Sequence, residues 1–229
     1  MAGLFGLFDF TKEGRGVSKD DPPLKGVLLF FSIFVLNFWK LMLLNLLFLL
    51  FCIPIVSIPA ALSGMMCVLR NMVDEKLVFV WRDFWVGLKG NFVQSLLYGI
   101  LIAVVGVLVY IDVFILFANR GNLLIFISGG LIVFVCFVFS LMNYYVPLMI
   151  ISVKLRLLDI LNNAFRLTFI AFLRNLLIFS ILSILTAAMI LFFPATIILV
   201  VLLYFSTTGL IICFSSWPIL KKYVITETS

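Results

Sequence analysis

Histidine is absent from this 229-residue chain, and charged residues make up only 11% of it. The absence of histidine excludes histidine-based acid–base catalysis, histidine-ligated metals and haem held by an axial histidine. Soluble domains usually carry about 25% charged residues, so the polar surface here is too small to cover a water-soluble globule. We therefore expect lipid to surround most of the chain.

Paired cysteines and catalytic motifs are also missing. The four cysteines have no spacing that would indicate a disulfide framework or a metal site, and we interpret them as small buried hydrophobic residues. They are Cys52, Cys67, Cys136 and Cys213. The chain has no phosphate-binding glycine loop and no nucleophile elbow. We therefore expect no cofactor, no metal and no catalytic residue.

Hydrophobic residues are abundant instead, at 65% of the chain, and 26 of them are phenylalanines. A membrane-spanning helix needs about 20 mostly apolar residues. The apolar runs predict an all-α membrane protein with about six transmembrane helices. Its predicted parts are a cytoplasmic N-terminal segment (1–26), a single polytopic membrane domain (27–220) and a cytoplasmic tail (221–229).

The basic residues predict the orientation. They are spread between the apolar runs rather than gathered on one segment, which argues against binding to nucleic acid despite a net charge of +6. Lys and Arg concentrate in cytoplasmic loops, and fifteen of the sixteen fall on one predicted side, with Arg120 alone on the other. We therefore expect a multi-pass protein of the bacterial cytoplasmic membrane with both termini in the cytoplasm.

The first apolar run, from Val27 to Ile53, allows two arrangements. If Trp39 and Lys40 mark the membrane interface, the helix that follows is short and residues 24–38 lie along the inner surface. If one helix continues from Val27, the Lys40 side chain must snorkel to the interface. We favour the short helix.

Two inner connectors have helical periodicity. Trp81, Phe84, Trp85, Leu88 and Phe92 share one helix face, with polar residues opposite, which is typical of a helix in the membrane interface. The pattern recurs eighty residues later at residues 161–172, which predicts a parallel internal repeat. These two cytoplasmic helices are either simple membrane anchors or docking surfaces for a partner. The candidate docking residues are Arg82, Asp83, Arg156, Asp159 and Arg166.

A second candidate site lies inside the membrane, where ionisable residues are costly. Asp112 is either an ion or proton site or a solvated carboxylate near Arg120. Asn143, Tyr144 and Tyr145 precede Pro147, which can kink a helix and open a small pocket. The alternative is that these polar groups, like Asn45, form hydrogen bonds to neighbouring helices.

Several short motifs resemble the YesL-like family of bacterial membrane proteins, a family of unknown function. They are Phe8-Asp9-Phe10, Gly14-Arg15-Gly16-Val17, Lys19-Asp20, Phe38-Trp39-Lys40-Leu41, Asn45-Leu46-Leu47, Cys52-Ile53-Pro54-Ile55-Val56-Ser57-Ile58-Pro59-Ala60, Val68-Leu69-Arg70-Asn71, Trp81-Arg82-Asp83-Phe84-Trp85, Asn91-Phe92 and Gln94. Members usually have a glycine in the turn where this chain has Ile58-Pro59. The resemblance implies a link to carbohydrate uptake or utilisation, because genes of the family often accompany such genes. It transfers no catalytic or binding residue.

Three functions remain open. We favour a non-enzymatic accessory protein in the lipid bilayer, associated with a sugar-transporter permease or with copies of itself. The alternatives are a small solute or ion transporter or channel, and a membrane enzyme of unknown type.

Overall fold

The computed structural model describes residues 26–118 and 123–225, with side chains over 26–116 and 127–225. Every regular element in these ranges is helical, as the sequence predicts. In chain order they are α1 (Val27–Leu36), α2 (Phe38–Cys52), a 3-10 turn (Ile55–Ser57), α3 (Ile58–Val73), α4 (Val80–Gly90), α5 (Phe92–Ala118), α6 (Leu123–Met142), α7 (Val146–Ser152), α8 (Leu157–Ile170), α9 (Phe172–Leu191), α10 (Ile197–Leu199), a π-helical stretch (Val200–Tyr204), α11 (Phe205–Leu220) and a second π-helical stretch (Lys221–Ile225). The predictions for residues 1–25, Arg120 and residues 226–229, including the first three family motifs, lie outside the described residues.

Within the described ranges, five helical stretches are long and apolar enough to cross a membrane, and α1 with α2 adds a sixth if they form one bent span. The five are Ile55–Val73, Phe92–Leu116, Ile127–Ser152, Phe172–Leu191 and Ile197–Ile225. This confirms a helical multi-pass architecture of about six spans. The last stretch continues five residues into the segment predicted as a tail.

The first apolar run is broken at Asn37, where α1 and α2 meet at an angle of 74°. The Asn37 side chain donates a hydrogen bond to the Ile33 carbonyl at 3.0 Å, at the end of α1. The continuous helix is therefore wrong, and the favoured break is confirmed. With 15 residues, α2 is about 22 Å long, shorter than a hydrocarbon core of roughly 30 Å. That α1 lies on the inner membrane surface stays a prediction.

Helix α3 is the centre of the bundle, since it contacts α2, α4, α5, α7 and α11. Its contact with α4 depends on two glycines. A Cβ atom on Gly87 would lie 2.6 Å from the Cβ of Cys67, and one on Gly64 would lie 2.8 Å from the carbonyl oxygen of Phe84. The two backbones therefore approach as closely as small residues allow.

This contact determines which residues of the first connector are buried. Helix α4 buries Val80, Asp83, Phe84, Gly87 and Leu88, so two residues of its predicted polar face point inward. On the predicted aromatic face, Trp81 is 58% exposed. The physical reason is that Gly87 leaves room for α3, whereas a bulkier side chain there would hold the helices apart.

The repeat is visible in helix breaks and in burial. Helix α4 gives way to α5 at Asn91, and α8 gives way to α9 at Ala171, eighty residues later. The buried positions recur at the same spacing in the connectors and in the spans that follow them. The pairs are Val80 and Ile160, Phe84 and Ala164, Gly87 and Leu167, Leu88 and Thr168, Ser95 and Asn175, and Tyr98 and Ile178. The two halves thus use equivalent positions for packing, which supports the predicted repeat; its symmetry axis stays a prediction.

Candidate functional site

The candidate intramembrane residues do not form one cluster. Asp112 is half-buried in α5, whereas Asn143, Tyr144 and Tyr145 lie at the break between α6 and α7. Asn143 accepts a hydrogen bond from the hydroxyl of Tyr98, which is also in α5. Fourteen residues of helix, roughly 21 Å, separate Tyr98 from Asp112. The fold therefore does not bring all four candidate residues together in a single site.

Most of the buried polar groups at the α6–α7 break join helices. The Tyr145 hydroxyl donates to Asn175 in α9 at 2.7 Å, and Asn175 in turn donates to the carbonyl of Thr168 in α8 at 3.2 Å. Nearby, the hydroxyls of Ser63 and Ser95 lie 2.7 Å apart and connect α3 to α5. These contacts support the interpretation that the polar groups hydrogen-bond neighbouring helices.

Asn45 has the same role in α2. Its amide nitrogen donates to the carbonyls of Val200 and Val201, at 3.1 and 2.6 Å, and its oxygen accepts from the backbone N–H of Ser206 at 3.0 Å. The π-helical stretch before α11 leaves backbone groups without their α-helical partners. Asn45, which is fully buried, supplies partners for them.

Tyr144 differs from its two neighbours because it lines a groove. The groove lies between α6 and α9, encloses about 500 Å³ and is lined by Ser140, Tyr144, Ser183 and Thr186 together with apolar residues. Hydroxyl groups on an otherwise apolar wall can orient a small polar solute. Tyr144, one of the residues that the sequence proposed for a transport site, thus faces an open volume.

A charged cluster at the end of α3 is not among the candidate sites that the sequence predicts. The Asp74 side chain is only 7% exposed and pairs with Lys76 at 3.0 Å and Lys221 at 2.5 Å. It also accepts a hydrogen bond from the indole of Trp217 at 2.7 Å. Local sequence pattern gives no signal for this cluster, because two of the three partners of Asp74, Trp217 and Lys221, lie more than 140 positions away.

These contacts change the acidity of Asp74. Burial raises the pKa of the carboxyl group, but the hydrogen bonds from Lys221, Trp217 and Lys76 outweigh it, and the pKa lies below its ordinary value of 3.8. Asp74 is therefore ionised at neutral pH and fastens the end of α11 to the end of α3.

Arg70 and Asp83 complete the polar contacts at this end. Arg70 donates to the carbonyl of Ile151 at 3.1 Å, at the C-terminus of α7, where a cation interacts favourably with the helix dipole. Asp83 accepts from Asn71 at 3.3 Å and from the backbone N–H of Phe79 at 3.2 Å. Asp83 thus satisfies the start of α4 and links it to α3.

The candidate docking residues differ in exposure. Arg82, Arg156, Asp159 and Arg166 are exposed, whereas the Asp83 side chain is 8% exposed and already paired with Arg82 at 3.2 Å. Whether they bind a partner stays a prediction, and the residues offered to solvent or membrane are the four exposed ones.

Two exposed cations of α4 each lie beside an aromatic ring. The guanidinium of Arg82 lies 4.6 Å from the ring centre of Phe79, and the ammonium of Lys89 lies 4.7 Å from that of Trp85. Trp81 packs edge-on against Trp85 with centroids 6.0 Å apart. In α8 the exposed ring of Phe165 occupies the position equivalent to Trp85. Each connector therefore carries an aromatic side chain beside exposed charge.

Metal binding has no support in the residues that the structure describes. These residues contain no group of three or more His, Cys, Asp or Glu side chains placed to hold an ion.

The comparisons with known proteins fit this architecture without assigning a chemistry. The family model described as "Protein of unknown function, DUF624" matches residues 41–113. A curated relative, "Uncharacterized protein YteU" of Bacillus subtilis (strain 168), is 29% identical over 126 residues, which cover 55% of this chain and 56% of that protein. The match thus spans about half the length of this relative, and no solved structure matches the chain. The chain is similar to the DUF624 family from α2 to the second half of α5.

Proposed function

We propose that the protein is a non-enzymatic accessory protein of the bacterial cytoplasmic membrane that binds a partner through the exposed faces of α4 and α8. The observation that carries this proposal is that α4 and α8, which are equivalent in the repeat, both expose aromatic and charged side chains. Aromatic and arginine side chains are enriched at protein interfaces. The buried polar groups described above largely join helices, whereas Arg82, Trp81 and Phe165 on the connectors are exposed.

The partner class follows from the YesL-like resemblance, and the DUF624 match is compatible with it. We propose a sugar-transporter permease as the partner and carbohydrate uptake or utilisation as the context, with a second copy of this chain as the competing occupant. The connectors and residues 1–26 and 221–229 then face the cytoplasm, as the distribution of Lys and Arg favours.

Site-specific cross-linking tests the surface directly. A photo-activatable amino acid replaces Trp81 or Phe165 in the native host, and Leu108, which is 60% exposed on α5, serves as the control. We expect the two connector positions, but not Leu108, to capture a permease identified by mass spectrometry. Capture of this chain itself would establish self-association instead, and capture of lipid alone at both connectors would refute partner binding.

Charge reversal separates docking from folding. We expect Arg82→Glu combined with Arg166→Glu to abolish the cross-link from Trp81 while membrane insertion is unchanged. Lys154→Glu, in the exposed loop before α8, provides a matched control. An unchanged cross-link in the double variant would show that these charges take no part in the interface.

The alternative transport function is favoured by one observation, the hydroxyl-lined groove at Tyr144. A transporter would give a solute flux in reconstituted vesicles that Tyr144→Phe slows. Asp112→Asn tests the proton or ion site independently, because Asp112 is not one of the residues that line the groove. A flux that neither change alters would remove both residues from the mechanism.

A further inference from the structure

The groove beside Tyr144 lies near the middle of two candidate membrane spans. Ser140 lines it from the span Ile127–Ser152, and Ser183 lines it from the span Phe172–Leu191. At 1.5 Å per residue, each serine is at least about 12 Å along the helix from either end of its span. The groove therefore lies at the depth of the hydrocarbon core, where water is not at hand to pair polar groups.

Three hydroxyl groups that line the groove have no hydrogen-bond partner among the described residues. They belong to Ser140, Tyr144 and Ser183. Tyr144 is only 6% exposed, so its ring is held in the bundle while its side chain lines the open volume. By contrast, Ser180 lies outside the groove on the same helix as Ser183, and its hydroxyl donates to the Leu176 carbonyl at 2.9 Å. Unpaired hydroxyls in apolar surroundings are costly, and a ligand that accepts hydrogen bonds would remove the cost.

The fourth hydroxyl of the groove, that of Thr186, is already oriented. Its oxygen lies 2.7 Å from the Leu182 carbonyl oxygen and 2.7 Å from the Tyr204 hydroxyl. Because a carbonyl only accepts, Thr186 donates to Leu182 and Tyr204 donates to Thr186. The donors left for a ligand are thus the three unpaired hydroxyls. None of the described lining residues is charged, which favours a neutral ligand.

An apolar groove continues the first one. It encloses about 410 Å³ and shares Thr186 and Ile190 with the groove beside Tyr144. Met189, Phe193 and Val200 are among its other lining residues. A hydrocarbon chain attached to a ligand in the first groove can therefore lie in the second.

We propose that the groove beside Tyr144 binds a neutral, lipid-soluble molecule with carbonyl oxygens. These oxygens accept hydrogen bonds from Tyr144 and from Ser140 or Ser183, and the apolar part of the molecule lies along the second groove. A charged ligand is disfavoured, because no described lining residue would offset its charge at this depth. Binding requires neither the partner proposed for α4 and α8 nor transport of the ligand, so it can be tested apart from both.

Equilibrium binding to the purified full-length chain in mild detergent tests this proposal. The probes are decylubiquinone, which has ring carbonyls, dioctanoylglycerol, which has ester carbonyls, and decylbenzene, which has no oxygen. We expect at least one carbonyl compound to bind, and decylbenzene to bind roughly tenfold more weakly. The carbonyl probe that binds more tightly identifies the source of the ligand. Binding of neither carbonyl compound, or equal binding of decylbenzene, would overturn the proposal.

Single hydroxyl deletions locate the site. We expect Tyr144→Phe and Ser183→Ala each to weaken binding roughly fivefold, which corresponds to about 1 kcal/mol for one hydrogen bond. Ser180→Ala is the matched control on the same helix and should leave the affinity within about twofold. A chain with both groove substitutions that binds the probe like the unchanged chain would contradict the site, and thermal unfolding of every variant checks that the fold is intact.

A second copy of the chain is the competing occupant of the groove. Ser183→Cys, in a chain whose own four cysteines are replaced, reports on it by oxidation in native membranes. We expect the chain to remain uncross-linked. A disulfide between two copies would assign the groove to self-association and would overturn ligand binding there.

Discussion

A methyl group added at Gly87 tests the contact that holds α4 on α3. The new Cβ of Gly87→Ala would lie 2.6 Å from the Cβ of Cys67, 2.9 Å from the carbonyl oxygen of Ser63 and 3.0 Å from the Cα of Gly64. Ordinary contacts of this kind are 3.4–4 Å. Two of the three opposing atoms are backbone atoms, so side-chain rotation cannot relieve the clash and α4 must move outward.

The expected cost is that of overpacking a well-packed interior, about 1–3 kcal/mol. At the scale of soluble domains of similar length, roughly 2–4 °C per kcal/mol, the midpoint of thermal unfolding falls by about 2–12 °C. Unfolding in detergent micelles, followed by tryptophan fluorescence, measures the change.

Gly90→Ala is the matched control on the same helix. A Cβ at Gly90 meets nothing within 4 Å, and the backbone there is not in the left-handed region. We expect this variant to gain up to about 1 kcal/mol from the lower backbone entropy of the unfolded chain. A Gly87→Ala midpoint equal to or above that of Gly90→Ala would refute the close contact.

The reactivity of Cys67 shows whether Gly87→Ala displaces α4. Cys67 is only 6% exposed beneath α4. In a chain whose other cysteines are replaced, maleimide should modify Cys67 faster when Gly87→Ala displaces α4. Slow modification together with a lowered midpoint would place the damage elsewhere and would also count against the contact.

Three further predictions concern polar contacts. Asp74→Asn removes a carboxylate whose pKa is lowered in the folded chain, so the unchanged chain should lose stability as the pH falls below about 4. The variant should be less stable by about 1 kcal/mol at neutral pH, and its stability should not change over that acid range. Acid titrations of unfolding, run in parallel on both chains, check this. Asn45→Leu leaves buried backbone groups around Ser206 unpaired and should lower the free energy of unfolding by about 2–4 kcal/mol. Thermal unfolding measures this loss, and Asn162→Leu, on the exposed face of α8, is the control. Tyr145→Phe removes one interhelical hydrogen bond and should cost about 1 kcal/mol; an unchanged midpoint would mean that this bond adds nothing.

Composition and periodicity were enough to predict the helical multi-pass class, the break near Asn37 and the repeat. Hydropathy predicts spans because every backbone polar group in lipid must be paired within its own helix. The break was predictable because Trp39 and Lys40 are costly in the middle of a hydrocarbon core. The repeat was predictable from positions, since the same spacing of eighty residues relates both the connectors and their breaks.

Neither the orientation of α4 nor the role of Asp74 could be predicted in this way. An amphipathic pattern shows two faces of a helix, but the contact between Gly87 and Cys67 decides which face packs inward, and that contact is tertiary. The pairing of Asp74 could not be predicted because its partners Trp217 and Lys221 are remote in sequence. In both cases the environment of the side chain is set by a contact between helices, which periodicity within one helix does not show.

The family match covers residues 41–113, and the contacts within that stretch show which part of the structure it describes. Several close contacts of α3 lie between residues within 41–113: an added Cβ would lie 2.8 Å from the Phe84 carbonyl oxygen at Gly64, 2.6 Å from the Cys67 Cβ at Gly87 and 2.1 Å from the Pro59 Cγ at Gly99. The groove beside Tyr144 lies outside that stretch. Bulkier side chains at these contacts would force the helices apart. The match thus covers part of the packing between α3, α4 and α5, and the proposed functions have to be tested on the connectors and the groove.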